Sequence, residues 1–100
     1  MALSIQQAST YMGDDRWRWS VWLIGPDHEL DAVDHVTYIL HPTFLEPVRE
    51  ISDRKTNFRL DTTGWGTFTI LAKVILKDDR EELLQHELVL VYPDGTPTTA

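Results

Sequence analysis

The residue types in this chain with a capacity for chemistry are four histidines, some adjacent carboxylates, hydroxyls close to a base, and aromatic rings set beside glycine. The histidines stand at His28, His35, His41 and His86, and no two share a spacing that would bring both imidazoles to one metal ion. Asp78-Asp79 falls in a polar turn, where slight desolvation leaves little to tune a carboxylate for acid–base work. No serine sits in a nucleophile elbow, and no glycine-rich loop opens a helix. Cysteine is absent altogether, which removes a thiol nucleophile, a disulfide framework and any thiolate zinc site. A catalytic constellation, a metal and a cofactor are therefore not expected.

Two segments carry denser chemistry. Leu40-His41-Pro42-Thr43-Phe44 puts an imidazole, a hydroxyl and a ring on one short stretch, and Gly64-Trp65-Gly66-Thr67-Phe68 frames an indole with two glycines. Glycines around a tryptophan let the backbone approach another group closely. The plainer alternatives are that Trp65 caps the core, that Phe68 belongs to the core by its parity, and that His41 satisfies a backbone carbonyl.

Strands must position these segments. Arg16 to Ile24 sets Trp17, Trp19, Val21 and Leu23 on one face, with Arg16, Arg18 and Ser20 on the other. Gly25-Pro26-Asp27 ends that run with turn chemistry. Val33 to Leu40 is rich in β-branched and aromatic residues, and His41-Pro42 stops it because proline cannot donate to a ladder. From Thr67 to Lys77 the positions Phe68, Ile70, Ala72, Val74 and Leu76 alternate with polar ones, a period of two that no helix satisfies. Leu83 to Tyr92 reads as the return strand after the Asp78-Asp79-Arg80 turn. Leu3 to Tyr11, Val48 to Ile51 and Asn57 to Thr62 are shorter candidates, and Arg80 to Gln85 allows one helical turn. The sum is an all-β antiparallel sandwich of about seven or eight strands, with both chemistry-bearing segments at strand ends, where a sandwich gathers its binding loops.

Composition bounds the rest. One hundred residues make one domain, expected over 1–92 with a polar tail over 93–100. The net charge of −7 repels phosphate backbones and favours basic partners, so nucleic acid is not an expected partner. The N-terminus lacks a basic start and an apolar run, and no stretch has the length of a membrane span. A cytoplasmic location is expected.

The ordered set Val36-Thr37-Tyr38-Ile39-Leu40-His41-Pro42-Thr43-Phe44, Pro47-Val48-Arg49, Phe58-Arg59-Leu60, Gly64-Trp65-Gly66-Thr67-Phe68-Thr69-Ile70 and His86-Glu87-Leu88-Val89-Leu90 resembles the YEATS domain. Trp19-Ser20-Val21-Trp22-Leu23 to Gly25-Pro26 matches its opening strand. The compact opening looks like the prokaryotic branch of the family. The resemblance implies an immunoglobulin-like sandwich that reads acylated lysine without catalysis. By position it makes Phe44 and Trp65 the two rings enclosing a flat acyl group and Thr43 the hydroxyl bonded to the acyl amide. His41 then supports that hydroxyl, Gly64 and Gly66 frame the indole loop, backbone around Trp65 and Gly66 donates to the acyl carbonyl, and Phe68 closes the floor. Asp14-Asp15 stands where eukaryotic examples often add an aromatic residue, which weakens the outer wall. The partner expected is a protein or peptide, with acetyl- or crotonyl-lysine as the implied ligand. The alternative is an interaction or scaffold domain that keeps the fold and binds through another surface, such as an exposed sheet edge.

Overall fold

A computed structural model describes residues 3–64 and 66–96. Seven strands run as β1 (Ser4–Gly13), β2 (Arg16–Ile24), β3 (Val33–Ile39), β4 (Val48–Ile51), β5 (Leu60–Gly64), β6 (Phe68–Leu76) and β7 (Glu81–Leu88). They form two antiparallel sheets, one ordered β1-β2-β5 and the other β4-β3-β6-β7. The expected all-β sandwich is the fold.

Alternation decides the core. Trp17, Trp19, Val21 and Leu23 of β2 are buried, facing Val36 and Tyr38 of β3 and Ile70, Ala72, Val74 and Leu76 of β6 across the two sheets. The β1–β2 hairpin turns through Asp14 and Asp15, both at positive φ (53° and 57°), as the hairpin twist of a two-residue loop requires. Gly13, at φ 91°, absorbs the register shift beside it.

Several elements depart from the expected boundaries. After Pro26 the chain makes α1 (Asp27–Asp31), a helix of five residues whose Leu30 is buried; it is too short to show a period. The candidate strand beginning at Asn57 begins at Leu60 instead. Asn57 and Phe58 take positive φ (57° and 60°) after a 3-10 turn over Arg54–Thr56. That conformation is costly for a bulky residue. It is held because the Phe58 ring is fully buried, its N–H donates to the Asp53 carbonyl at 2.8 Å, and its carbonyl accepts from the Tyr38 hydroxyl at 2.7 Å. Burial pushes the Tyr38 phenol well up, so it remains a donor. Arg80 to Gln85 has no helical turn; β7 starts at Glu81 and ends at Leu88, short of Tyr92. Tyr92 and Gly95 belong to a turn in which the Gly95 N–H donates to the Tyr92 carbonyl at 2.8 Å. Residues 97–100 of the expected tail lie outside the described residues.

Candidate ligand-binding site

The segment after β3 is tied at its base. The Leu40 N–H donates to the Pro47 carbonyl at 2.7 Å, and the Phe44 N–H to the His41 carbonyl at 3.0 Å. Arg49 reaches back from β4, its guanidinium donating to the carbonyls of Glu46 and, at 2.9 Å, Leu45. Leu40 is buried beneath the loop. Local turn bonds and a buried anchor thus fix where His41, Thr43 and Phe44 stand.

Within this loop the protonation pattern follows from geometry. The Thr43 backbone N–H lies 3.2 Å from His41 Nδ1 and can only donate. Nδ1 is therefore the acceptor nitrogen of the neutral ring, and its proton sits on Nε2. Thr43 Oγ1, 2.9 Å from the same Nδ1, must then donate its hydroxyl proton inward. The oxygen's lone pairs are left for another donor. Both residues are exposed, so this acceptor is accessible.

Beside it lies a cluster of rings. Phe44 and Phe68 meet at a centroid separation of 5.3 Å, and His41 stands 6.1 Å from Phe68. Trp19 supports both from below, at 6.1 Å from Phe44 and 5.9 Å from Phe68 with edge contacts. Gly64 makes this closeness possible. A methyl group there would stand 3.1 Å from Trp19 Nε1 and 3.3 Å from Phe44 Cζ. Among the described residues, the buried Trp19 Nε1 has no hydrogen-bond partner.

The structure thus brings His41, Thr43, Phe44, Gly64 and Phe68 to one end of the sandwich, with Gly66 entering β6 next to them. Phe68 is half-buried, so it serves the core and the site at once. Trp65 lies outside the described residues.

A second aromatic group flanks the site. Tyr11, Trp17 and Tyr92 meet edge-on with centroids 5.0 to 5.5 Å apart. Trp17 Nε1–H donates to the Val91 carbonyl at 2.7 Å, and the Tyr92 hydroxyl donates to Asp15 at 2.8 Å. Trp17 pairs with Gly64 across β2 and β5, so this group adjoins the ring cluster. Aromatic surface near the Asp14-Asp15 turn comes from Tyr11 and Tyr92. Parity could have placed Tyr11 inward with Trp17; no local signal reaches Tyr92. Carboxylates of Asp14, Asp15, Glu46 and Asp94 occupy the turns of this end. Thr96 N–H, 2.9 Å from Asp94, holds that carboxyl below its usual range. Among the described residues no three His, Cys, Asp or Glu side chains come together to hold a metal ion.

Residues 17–89 match the prokaryotic YEATS domain family. The chain belongs to that family. It is 44% identical over 55 residues, half of its own length and 22% of the relative's, to transcription initiation factor TFIID subunit 14 of Schizosaccharomyces pombe. It is 35% identical over 66 residues, 64% of its own length and 28% of the relative's, to the AF-9 homolog of Saccharomyces cerevisiae. The YEATS chain thus spans about a quarter of the length of these curated relatives. Among solved structures it superposes on the Yaf9 YEATS domain recognising an H3K122suc peptide with a TM-score of 0.73, at 26% identity, over 92% of this chain and 72% of that one. The Yaf9 YEATS domain bound to H3K27ac gives a TM-score of 0.75 at 24% identity, over 96% of this chain and 76% of that one, a likeness of fold.

Proposed function

We propose that this YEATS domain is a non-catalytic reader that takes the acyl amide of a modified lysine between its two loops. The observation that carries the reading is the His41–Thr43 pair. His41 Nδ1 accepts a hydrogen bond from the Thr43 hydroxyl, which leaves the threonine oxygen free to accept one from a ligand. An acyl-lysine presents the matching donor, its amide N–H. The adjoining faces of Phe44 and Phe68 suit a flat apolar acyl chain, and aromatic contact adds roughly 1 kcal/mol beyond the area buried. A free lysine ammonium would be desolvated against rings without a counter-charge, which is costly. The recognition of a succinylated peptide by the Yaf9 YEATS domain supports the ligand class. Gly64 stands against the Phe44 ring, with Phe44 Cζ 3.3 Å from where a methyl there would lie, and Trp65 as the second ring is part of this proposal.

Burying about 150 Å² of acyl surface contributes roughly 4 kcal/mol, and association entropy removes much of it. Affinity for the acyl group alone is thus on the order of 10 µM to 1 mM. The test is calorimetric titration of a crotonyl-lysine peptide into wild type, Thr43→Val and Phe44→Ala. The first variant keeps the β-branched shape and loses the acceptor; the second loses a ring. Each should weaken binding by about tenfold or more, the worth of one buried hydrogen bond or ring contact. Undiminished binding to folded Thr43→Val would reject the reading.

A further inference from the structure

The outer face of the four-stranded sheet carries an apolar patch with a cation at its centre. Register places Val48, Ile39 and Leu71 in one row across β4, β3 and β6. The next row holds Glu50, Thr37, Lys73 and Leu83, and Ile75 follows beyond Lys73 on β6. Alternation turns these side chains away from the core, to which β6 gives Ile70, Ala72, Val74 and Leu76. Val48 and Leu83 are 60% and 63% exposed, so the patch is open on both outer strands. Lys73 is exposed, and among the described residues no ion pair includes it. Leu71 and Ile75 flank it along β6 and Leu83 flanks it on β7, so its ammonium rises from apolar surroundings. Glu50 meets His35 Nε2 at 3.3 Å and keeps 67% of its side chain exposed. A partner seated here must bring apolar side chains for the rows and a carboxylate for Lys73, because an ammonium covered without a counter-charge is costly.

We propose that the partner is a second copy of this chain, related by a two-fold axis running along the strands between β3 and β6. That rotation lays β3 of one copy over β6 of the other, and β4 over β7. Ile39 then meets Leu71 of the second copy, and the symmetry repeats the contact in reverse. Lys73 comes to lie over Thr37 of the second copy, one strand spacing, about 4.8 Å, from its Glu50. Sheets packed face to face stand about 10 Å apart with their strands aligned within about 30°. A lysine and a glutamate together bridge that gap, and the symmetry makes the pair twice. One rotation thus supplies both the apolar cover and the carboxylate that the face requires. Four strands of this length present roughly 450 Å² per copy, at the low end for a specific contact. The net charge of −7 on each copy opposes approach. The dimer is therefore weak, with a dissociation constant on the order of 100 µM. The same rotation leaves both ring clusters at one end of the pair, and the pairing does not depend on the ligand proposed there.

The experiment is sedimentation equilibrium of the full chain from about 10 µM to about 1 mM, with backbone NMR over the same range. The mass should rise from one chain toward two, and concentration-dependent shifts should centre on Ile39, Leu71, Lys73 and Leu83. Leu83→Glu, with an unchanged unfolding midpoint, should stay monomeric throughout. Lys73→Glu and Glu50→Lys should each weaken the dimer by about tenfold, and the two together should restore it. Glu50→Lys is the sharper arm, since it lowers the net charge and would tighten any contact that lacks this pair. A chain monomeric at the highest concentration, shifts centred elsewhere, or a double reversal no tighter than the single ones would overturn the proposal. So would a face that responds to an added amphipathic helical peptide while the chain itself stays monomeric.

Discussion

At Gly64 the missing side chain is what allows Trp19 and Phe44 to share one small space. Gly64→Ala must push either a buried indole or the ring of Phe44, so it should destabilise the fold by about 1–3 kcal/mol, as overpacking does. Denaturant unfolding reads this directly, and an unchanged midpoint would mean that the loop gives way freely. The residues of this site differ in how far the sequence announced them. His41, Thr43 and Phe44 are close in sequence, so their grouping was legible. Trp17 and Trp19 were placed on one face by alternation alone. Two features were not legible: which His41 nitrogen accepts, set by a turn N–H, and the meeting of Tyr92 with Trp17, 75 positions away in the chain.

Among the elements, β6 was readable because a two-residue period over a full strand has one interpretation. The start of β5 was not, because the left-handed Asn57-Phe58 pair depends on groups distant in sequence. Tyr38, on the other sheet, caps the Phe58 carbonyl at 2.7 Å. Tyr38→Phe leaves that buried carbonyl without its donor and should cost about 1–3 kcal/mol. Urea unfolding of the variant tests it; a loss below a few tenths would show that the bond does not hold the bend. The short helix α1 escaped for a related reason, since one buried leucine, Leu30, cannot make a pattern.

The two sheets of the whole molecule are stitched along one side. Gln7 on β1 donates to the Val89 carbonyl at 2.7 Å and accepts the Val89 N–H at 3.1 Å, so its oxygen is identified and His86 Nε2 donates to it at 2.7 Å. Burial holds the His86 pKa below the ordinary imidazole value, against a smaller opposing effect of Glu87. The unfolded chain therefore binds a proton first as pH falls. Stability is fully present above the ordinary value of about 6.5, declines below it, and levels off once the folded His86 titrates. The lowered carboxylates, Asp61 among them, add a further loss of the same sign only in the acid carboxylate range. Melting temperature against pH should show both stages, and His86→Gln, which keeps a donor without titrating, should abolish the first; its persistence would place the titration elsewhere. An acidic molecule with one aromatic end is suited to a neutral acyl group on an otherwise basic peptide. The direct test is titration of acetyl-, crotonyl- and unmodified lysine peptides followed by backbone NMR. Shifts at His41, Thr43, Phe44, Gly64 and Gly66 for the acylated peptides, absent for the unmodified one, are the predicted result; no response at millimolar acylated peptide, or an equal response to all three, would contradict it.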